Sequence, residues 1–187
     1  MTTYSLLLAV HIIGVIVWLG TTTSLALLEA YARLKQDREL AGRLPALARW
    51  LGPRVIGPSS IGTLLSGVLL AARADAGVGD LWLVLAVSAF VGAALVSIGV
   101  RLPATLWRRR SSAAGRQADV ERADRLLFEG SLIELAILYL AAAEMVLKPT
   151  SADVAWLIGG AAILVLVAAR PLLTLRPSRR VLQGGST

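Results

Sequence analysis

The run YSLLLAVHIIGVIVWLGTTTSLALL, Tyr4 to Leu28, contains one histidine and no other ionisable group except the terminal tyrosine. About 20 predominantly apolar residues are enough to cross the hydrocarbon core of a bilayer. In lipid each backbone amide needs a partner, which only a helix or a closed barrel supplies. A barrel strand would alternate polar and apolar residues. This stretch is continuously apolar, so it reads as a transmembrane helix.

Four more runs follow the same logic: Val55 to Ala72, Leu81 to Leu106, Leu126 to Leu147 and Val154 to Leu173. Mean hydropathy is +0.71 and 56% of the 187 residues are hydrophobic. Five helices of that length use more than half the chain and leave no room for a separate soluble catalytic domain. The expected fold is all-α, a polytopic bundle of five transmembrane helices. Residues 1–149 form a four-helix core, 150–175 an added helix and 176–187 a disordered basic tail.

Basic residues set the expected orientation. Of the 19 Lys and Arg, only Arg73 and Lys148 lie in the connections after the second and fourth runs. The others crowd into three places: Arg33 to Arg54, Arg101 to Arg125, and the four arginines from Arg170 to Arg180. By the positive-inside rule the amino terminus is outside and the carboxyl terminus cytoplasmic. Tyr4, Trp82 and Trp156 fall at the expected outer interface and Tyr31 and Trp107 at the inner one, as amphipathic rings prefer. The net charge of +7 and pI near 11.0 therefore belong to topology and to anionic lipid headgroups at the cytoplasmic face, not to nucleic acid. Met1 to Ser5 carries no basic residue, unlike a cleaved signal. With no cysteine, disulfides and thiolate sites are excluded.

Leu40, Leu44, Leu47 and Leu51 recur at helical spacing among Arg38, Arg43 and Arg49, which predicts a short interfacial helix at about 38–51, anchored by Trp50. Pro45 argues against a long uninterrupted helix there. Trp107 to Gly115 reads as a basic, flexible connection leading into the mixed charges of Asp119 to Arg125. Small residues recur every four positions at Ser59, Thr63 and Gly67 and at Ala89, Ala93 and Ser97, with Gly159 and Gly160 in the fifth run. Such stripes let helix backbones approach, within one bundle or between two copies in a homodimer. Pro58 marks a kink or a lead-in turn.

Ionisable residues inside spans are functional candidates by default. His11 lies roughly 10 Å below the outer surface at helical rise, with Gly14 and Trp18 on the same face. A histidine on such a stripe can ligate haem iron or another metal or carry protons, and Gly14 would leave room for a flat ring. The alternative is a neutral imidazole bonded to another helix. Glu144 reaches a depth near that of His11, which permits a contact between them; it also stands four residues before Lys148, the favourable order for a helix pair. Glu134 lies at a depth that suits an ion pair with Arg101 on the third run.

The first span with His11, Gly14, Trp18 and Gly20, the lead-in Leu51-Gly52-Pro53-Arg54-Val55-Ile56-Gly57-Pro58, Gly67, and Met145-Val146-Leu147-Lys148-Pro149 together resemble the bacterial integral-membrane family called domain of unknown function twenty-two sixty-nine. That resemblance implies a four-helix unit over about residues 4–149 in a bacterial inner membrane. The spacing from His11 to Trp18 and Gly20 is also similar to the first helix of J-type protoporphyrinogen oxidase and of the copper-resistance D membrane domain. This second resemblance implies His11 as an axial ligand of haem b. The lysine or further histidines that those groups carry have no counterpart in Leu81 to Leu106, which leaves Met145, another subunit or nothing as a second ligand.

No P-loop, nucleophile elbow or zincin motif occurs, and a lone histidine builds no triad. Three function classes remain open: a haem-associated or redox-linked membrane protein, a small transporter or proton pathway, and a non-catalytic scaffold that holds a membrane partner through its basic face.

Overall fold

A computed structural model describes residues 2–73, 77, 80–147 and 159. The described residues are helical, without strands: α1 (Thr3–Lys35), α2 (Arg38–Leu51), α3 (Gly57–Arg73), α4 (Leu81–Val96), α5 (Leu102–Ala113) and α6 (Gln117–Leu147). A π-helical turn joins α2 to α3 at Gly52–Ile56 and another joins α4 to α5 at Ser97–Arg101. Each joined pair is one continuous helix, so four long apolar helices run Thr3–Lys35, Arg38–Arg73, Leu81–Ala113 and Gln117–Leu147. All four are long and apolar enough to cross a membrane. The expected fifth span, its Gly160 and Trp156, the basic tail, and Lys148 as a partner for Glu144 lie outside the described residues.

The junctions follow from local chemistry. Pro53 and Pro103 lack the N–H that an α-helical ladder needs, and beside each the ladder resets with a wide turn. Gly57 N–H reaches the Gly52 carbonyl, and Leu102 N–H reaches that of Ser97. The short helix expected at 38–51 forms as α2, but it passes through Pro45 without interruption and runs on into α3. Pro45 removes one bond of the ladder and does not end it. Between α1 and α2 the chain turns at Gln36, in the left-handed region at φ 53, and Asp37 caps α2 by accepting the Leu40 N–H at 2.9 Å. The predicted flexible connection after Trp107 is also corrected. α5 continues to Ala113, and the reversal is confined to a tight turn with Gly115 at φ +68 and the Arg116 N–H donating to the Ser111 carbonyl.

α1 and α6 form the central pair, with α3 packed on α1 and with α4 and α5 on α6. Trp18, Ala93 and Leu138 make the buried centre, joined by Leu19, Ile56, Phe90 and Ile137. Trp18 meets Phe90 edge to face, with ring centroids 6.0 Å apart. The outside is apolar, with Ile13, Ile16, Leu27, Leu65, Val87 and Leu95 all exposed, as lipid contact requires. The stripe of Ser59, Thr63 and Gly67 is spent inside the bundle. A Cβ on Gly14 would lie 2.5 Å from Thr63 Oγ1 and 3.5 Å from the Ser59 carbonyl, and one on Gly67 would lie 3.0 Å from His11 Cε1. Ala93 is likewise buried.

Candidate functional site

Two polar places interrupt the apolar bundle. The first is His11, buried between α1 and α3. Its Nδ1 lies 2.9 Å from the Thr63 carbonyl and 3.2 Å from Ser66 Oγ. A carbonyl only accepts, so Nδ1 carries a proton in this bond, and in the neutral ring the lone pair lies on Nε2. Ser66 Oγ donates in turn to the Gly62 carbonyl at 2.6 Å. The ring therefore sits against α3, over Gly67, and neither of its hydrogen bonds goes to Glu144. Gly14 does not leave a slot for a flat cofactor, because Thr63 occupies that space. Trp18 belongs to the central cluster. Glu144 is buried on α6, and its Oε2 meets no hydrogen-bond partner among the described residues.

The second place lies towards the basic end. Arg101, the last residue of the wide turn after α4, donates from Nη1 to Oε2 of Glu134, so the expected ion pair forms. Glu134 is buried, while about a third of the Arg101 side chain is exposed. Gly130, one turn earlier on α6, makes this approach fit: a Cβ there would stand 3.0 Å from Arg101 Cγ. Sequence reading overlooked that glycine, although its spacing of four from Glu134 puts both on one helical face.

This pair borders a cavity of about 550 Å³ between α1, α2, α5 and α6. Leu138 and Ile56, which belong to the central apolar cluster, also line the cavity, so the cluster forms part of its wall. Nearer the helix ends, Arg33 Nη2 donates to Glu29 Oε1 at 2.8 Å and to the Asp124 carbonyl at 2.7 Å, and its guanidinium lies 4.5 Å from the centre of the Phe128 ring. Arg108 Nε donates to Asp124 Oδ1. Burial pushes the Glu29 carboxyl above its usual range, and the bond and charge of Arg33 pull it partly back. Arg49, Arg109 and Arg125 also line the space. They are exposed and have no ion-pair partner among the described residues. Glu29, Arg33, Arg108 and Asp124 were not singled out from sequence. Their signal was the Glu29 to Arg33 spacing of four, which reads equally as a surface pair.

The family described as "predicted integral membrane protein (DUF2269)" matches residues 5–149. The chain belongs to this family. It is an integral, multi-pass membrane protein, and the match covers the four long helices. No curated protein and no solved structure matches the chain.

Proposed function

We propose that this family member is a small membrane transport protein whose cavity is a vestibule open to the cytoplasm, with the Arg101–Glu134 pair as its proton-responsive centre. The observation that carries this reading is a buried carboxylate, paired with arginine, on the wall of a cavity bordered by the apolar cluster. Intramembrane ionisable groups that face a cavity serve ion and substrate pathways. The surplus of Lys and Arg in the segments around this end supports a cytoplasmic position and contact with anionic headgroups. The two residues together would carry the proton pathway, and a guanidinium turned away from the carboxylate would meet an anionic ligand. In this reading Trp18, Ala93 and Leu138 form a plug between the vestibule and the outer half, which would have to open for passage.

The test is proton entry into pyranine-loaded proteoliposomes under an imposed potential. Wild-type protein should acidify the lumen faster than protein-free vesicles, and Glu134→Gln should abolish the difference while eluting as the same particle in detergent. Equal rates with and without wild-type protein would overturn the transport reading.

A second reading rests on a different observation, the tautomer of His11. With Nδ1–H held by the Thr63 carbonyl, Nε2 is free to bind a metal, the arrangement that orients ligating histidines elsewhere. His11 would hold the iron of haem b through Nε2, and the haem would supply one-electron redox chemistry. Gly14 adds no space for it, and no cluster of three or more metal-binding side chains occurs among the described residues. Protein purified from haem-supplemented cells would show a Soret band that His11→Ala removes; a featureless spectrum in wild type sinks this reading.

A further inference from the structure

The charge and shape of the vestibule narrow what it takes, an inference that rests on the transport reading for its site and goes further on its ligand. Six arginines line it, Arg33, Arg49, Arg101, Arg108, Arg109 and Arg125, against four carboxylates, Glu29, Glu121, Asp124 and Glu134. Three of those carboxylates are already engaged by Arg33, Arg108 and Arg101. Arg49, Arg109 and Arg125 stand free among the described residues. The Nε atoms of Arg33 and Arg101 are buried and meet no acceptor among the described residues. A buried donor without an acceptor is costly, and each guanidinium presents donors in a planar fork that matches phosphate oxygens. The electrostatics thus call for a compact anion with several acceptor oxygens.

The walls call for something more. Leu25, Ala26, Leu44, Pro45 and Ala48 give the same cavity an apolar side. Beside it on α2 lies a groove of about 450 Å³ between α1 and α2, lined by Ile16, Val17, Gly20, Ser24, Leu47 and Leu51. Leu25 lines both spaces, so the groove and the vestibule share a wall at that residue. A free inorganic anion would have no use for this apolar track.

We propose that the vestibule binds a phosphate-headed amphiphile from the membrane, its head among Arg33, Arg49, Arg101, Arg109 and Arg125, its chain along the α1/α2 groove. The α2 helix, packed along α1 beside both spaces, is the element the lipid lies against. Heads that carry net negative charge on phosphate share the required chemistry; the choline of phosphatidylcholine cancels that charge, and a soluble phosphate shares the head alone.

The experiment is native mass spectrometry of the full chain released from neutral detergent, with dioleoyl phosphatidate, dioleoyl phosphatidylcholine and inorganic phosphate as separate probes. One phosphatidate should remain bound per chain. The triple variant Arg49→Gln, Arg109→Gln, Arg125→Gln should weaken that binding about tenfold, the sum of three partly exposed contacts. Removing equal charge outside the cavity, with Arg38→Gln, Arg110→Gln and Arg122→Gln, should leave it unchanged. Ser24→Phe, which fills the groove, should weaken phosphatidate as well. Equal loss in both triple variants would overturn the proposal in favour of general surface charge. Retention of phosphatidylcholine as strong as that of phosphatidate would overturn the role of the head. Inorganic phosphate bound as well as phosphatidate, with Ser24→Phe without effect, would reduce the site to one for a free anion and overturn the amphiphile. Binding is read at equilibrium in detergent, so a protein that holds the lipid yet conducts no protons would sink the transport reading and leave this one standing.

Discussion

His11 and Glu134 are both ionisable residues set inside apolar helices, and their surroundings are built in opposite ways. Around His11 the neighbours close in: Gly14 and Gly67 bring α1 and α3 together, and the Thr63 carbonyl and Ser66 hydroxyl accept from the imidazole Nδ1–H. Around Glu134 the helices part, and a single arginine meets the carboxylate beside a cavity of about 550 Å³. A polar group in a membrane span therefore has two quite different uses. Where its hydrogen bonds end on a neighbouring backbone it fastens helices; where they end on a mobile side chain beside open space it can exchange partners. That contrast favours the Glu134 side as the working site.

The sharpest way to break the contrast is to remove one member of the ion pair. Arg101→Leu leaves Glu134 buried without its partner and should lower stability, though by less than the roughly 3–5 kcal/mol of a fully buried pair. The reason for the discount is that 35% of the Arg101 side chain is exposed and screened. The double variant Arg101→Leu, Glu134→Leu should recover most of that loss in thermal unfolding in detergent. Additive losses would mean that the two residues do not depend on each other.

The closed region is tested next by Gly14→Ala, which places a methyl where Thr63 Oγ1 now sits. Overpacking of this kind costs roughly 1–3 kcal/mol, and Thr63→Ala should relieve it. Gly20→Ala on the same helix meets nothing within 4 Å and should be neutral or slightly stabilising. If both glycine variants behave alike, the tight contact of α1 with α3 is not what holds His11 in place.

The smallest effect concerns the rim of the open region. The raised pKa of Glu29 means that the folded state binds its proton more readily than the unfolded state does. Its contribution to stability is complete below the ordinary value of 4.5 and is lost as pH rises through the raised folded value. Glu29→Gln should therefore fall less steeply in thermal midpoint than wild type across that rise. A parallel pH dependence would show that burial does not govern this carboxyl.

Much of this was legible from sequence and some was not, for physical reasons. Apolar run length located the four described helices, because lipid imposes it directly. The Arg101–Glu134 pair followed from rise per residue, since depth along two antiparallel spans is arithmetic. The partners of His11 did not follow, because depth says nothing about which helix a side chain faces. Small residues at Ser59, Thr63 and Gly67 signalled close packing, but only the fold shows that their partner is α1 and that Gly14 is consumed by it. Pro45 and the stretch after Trp107 were misread as breaks because local propensity was weighed without the neighbours that hold α2 and α5 helical. The vestibule had no signature at all. It is a space left by the splay of four elements, and its charges looked like ordinary topology signals.

The wide turn at Ser97–Arg101 has a consequence for how such a chain can vary. A π-helical turn holds one residue more than the α-helix it interrupts. Losing a residue there would restore regular winding and swing α4 about 100° around its axis relative to α5. Arg101 could keep Glu134 only if α4 turned its present core face, Ala86 and Ala93, towards lipid. The length of this short segment is thus as much a part of the site as the arginine that ends it.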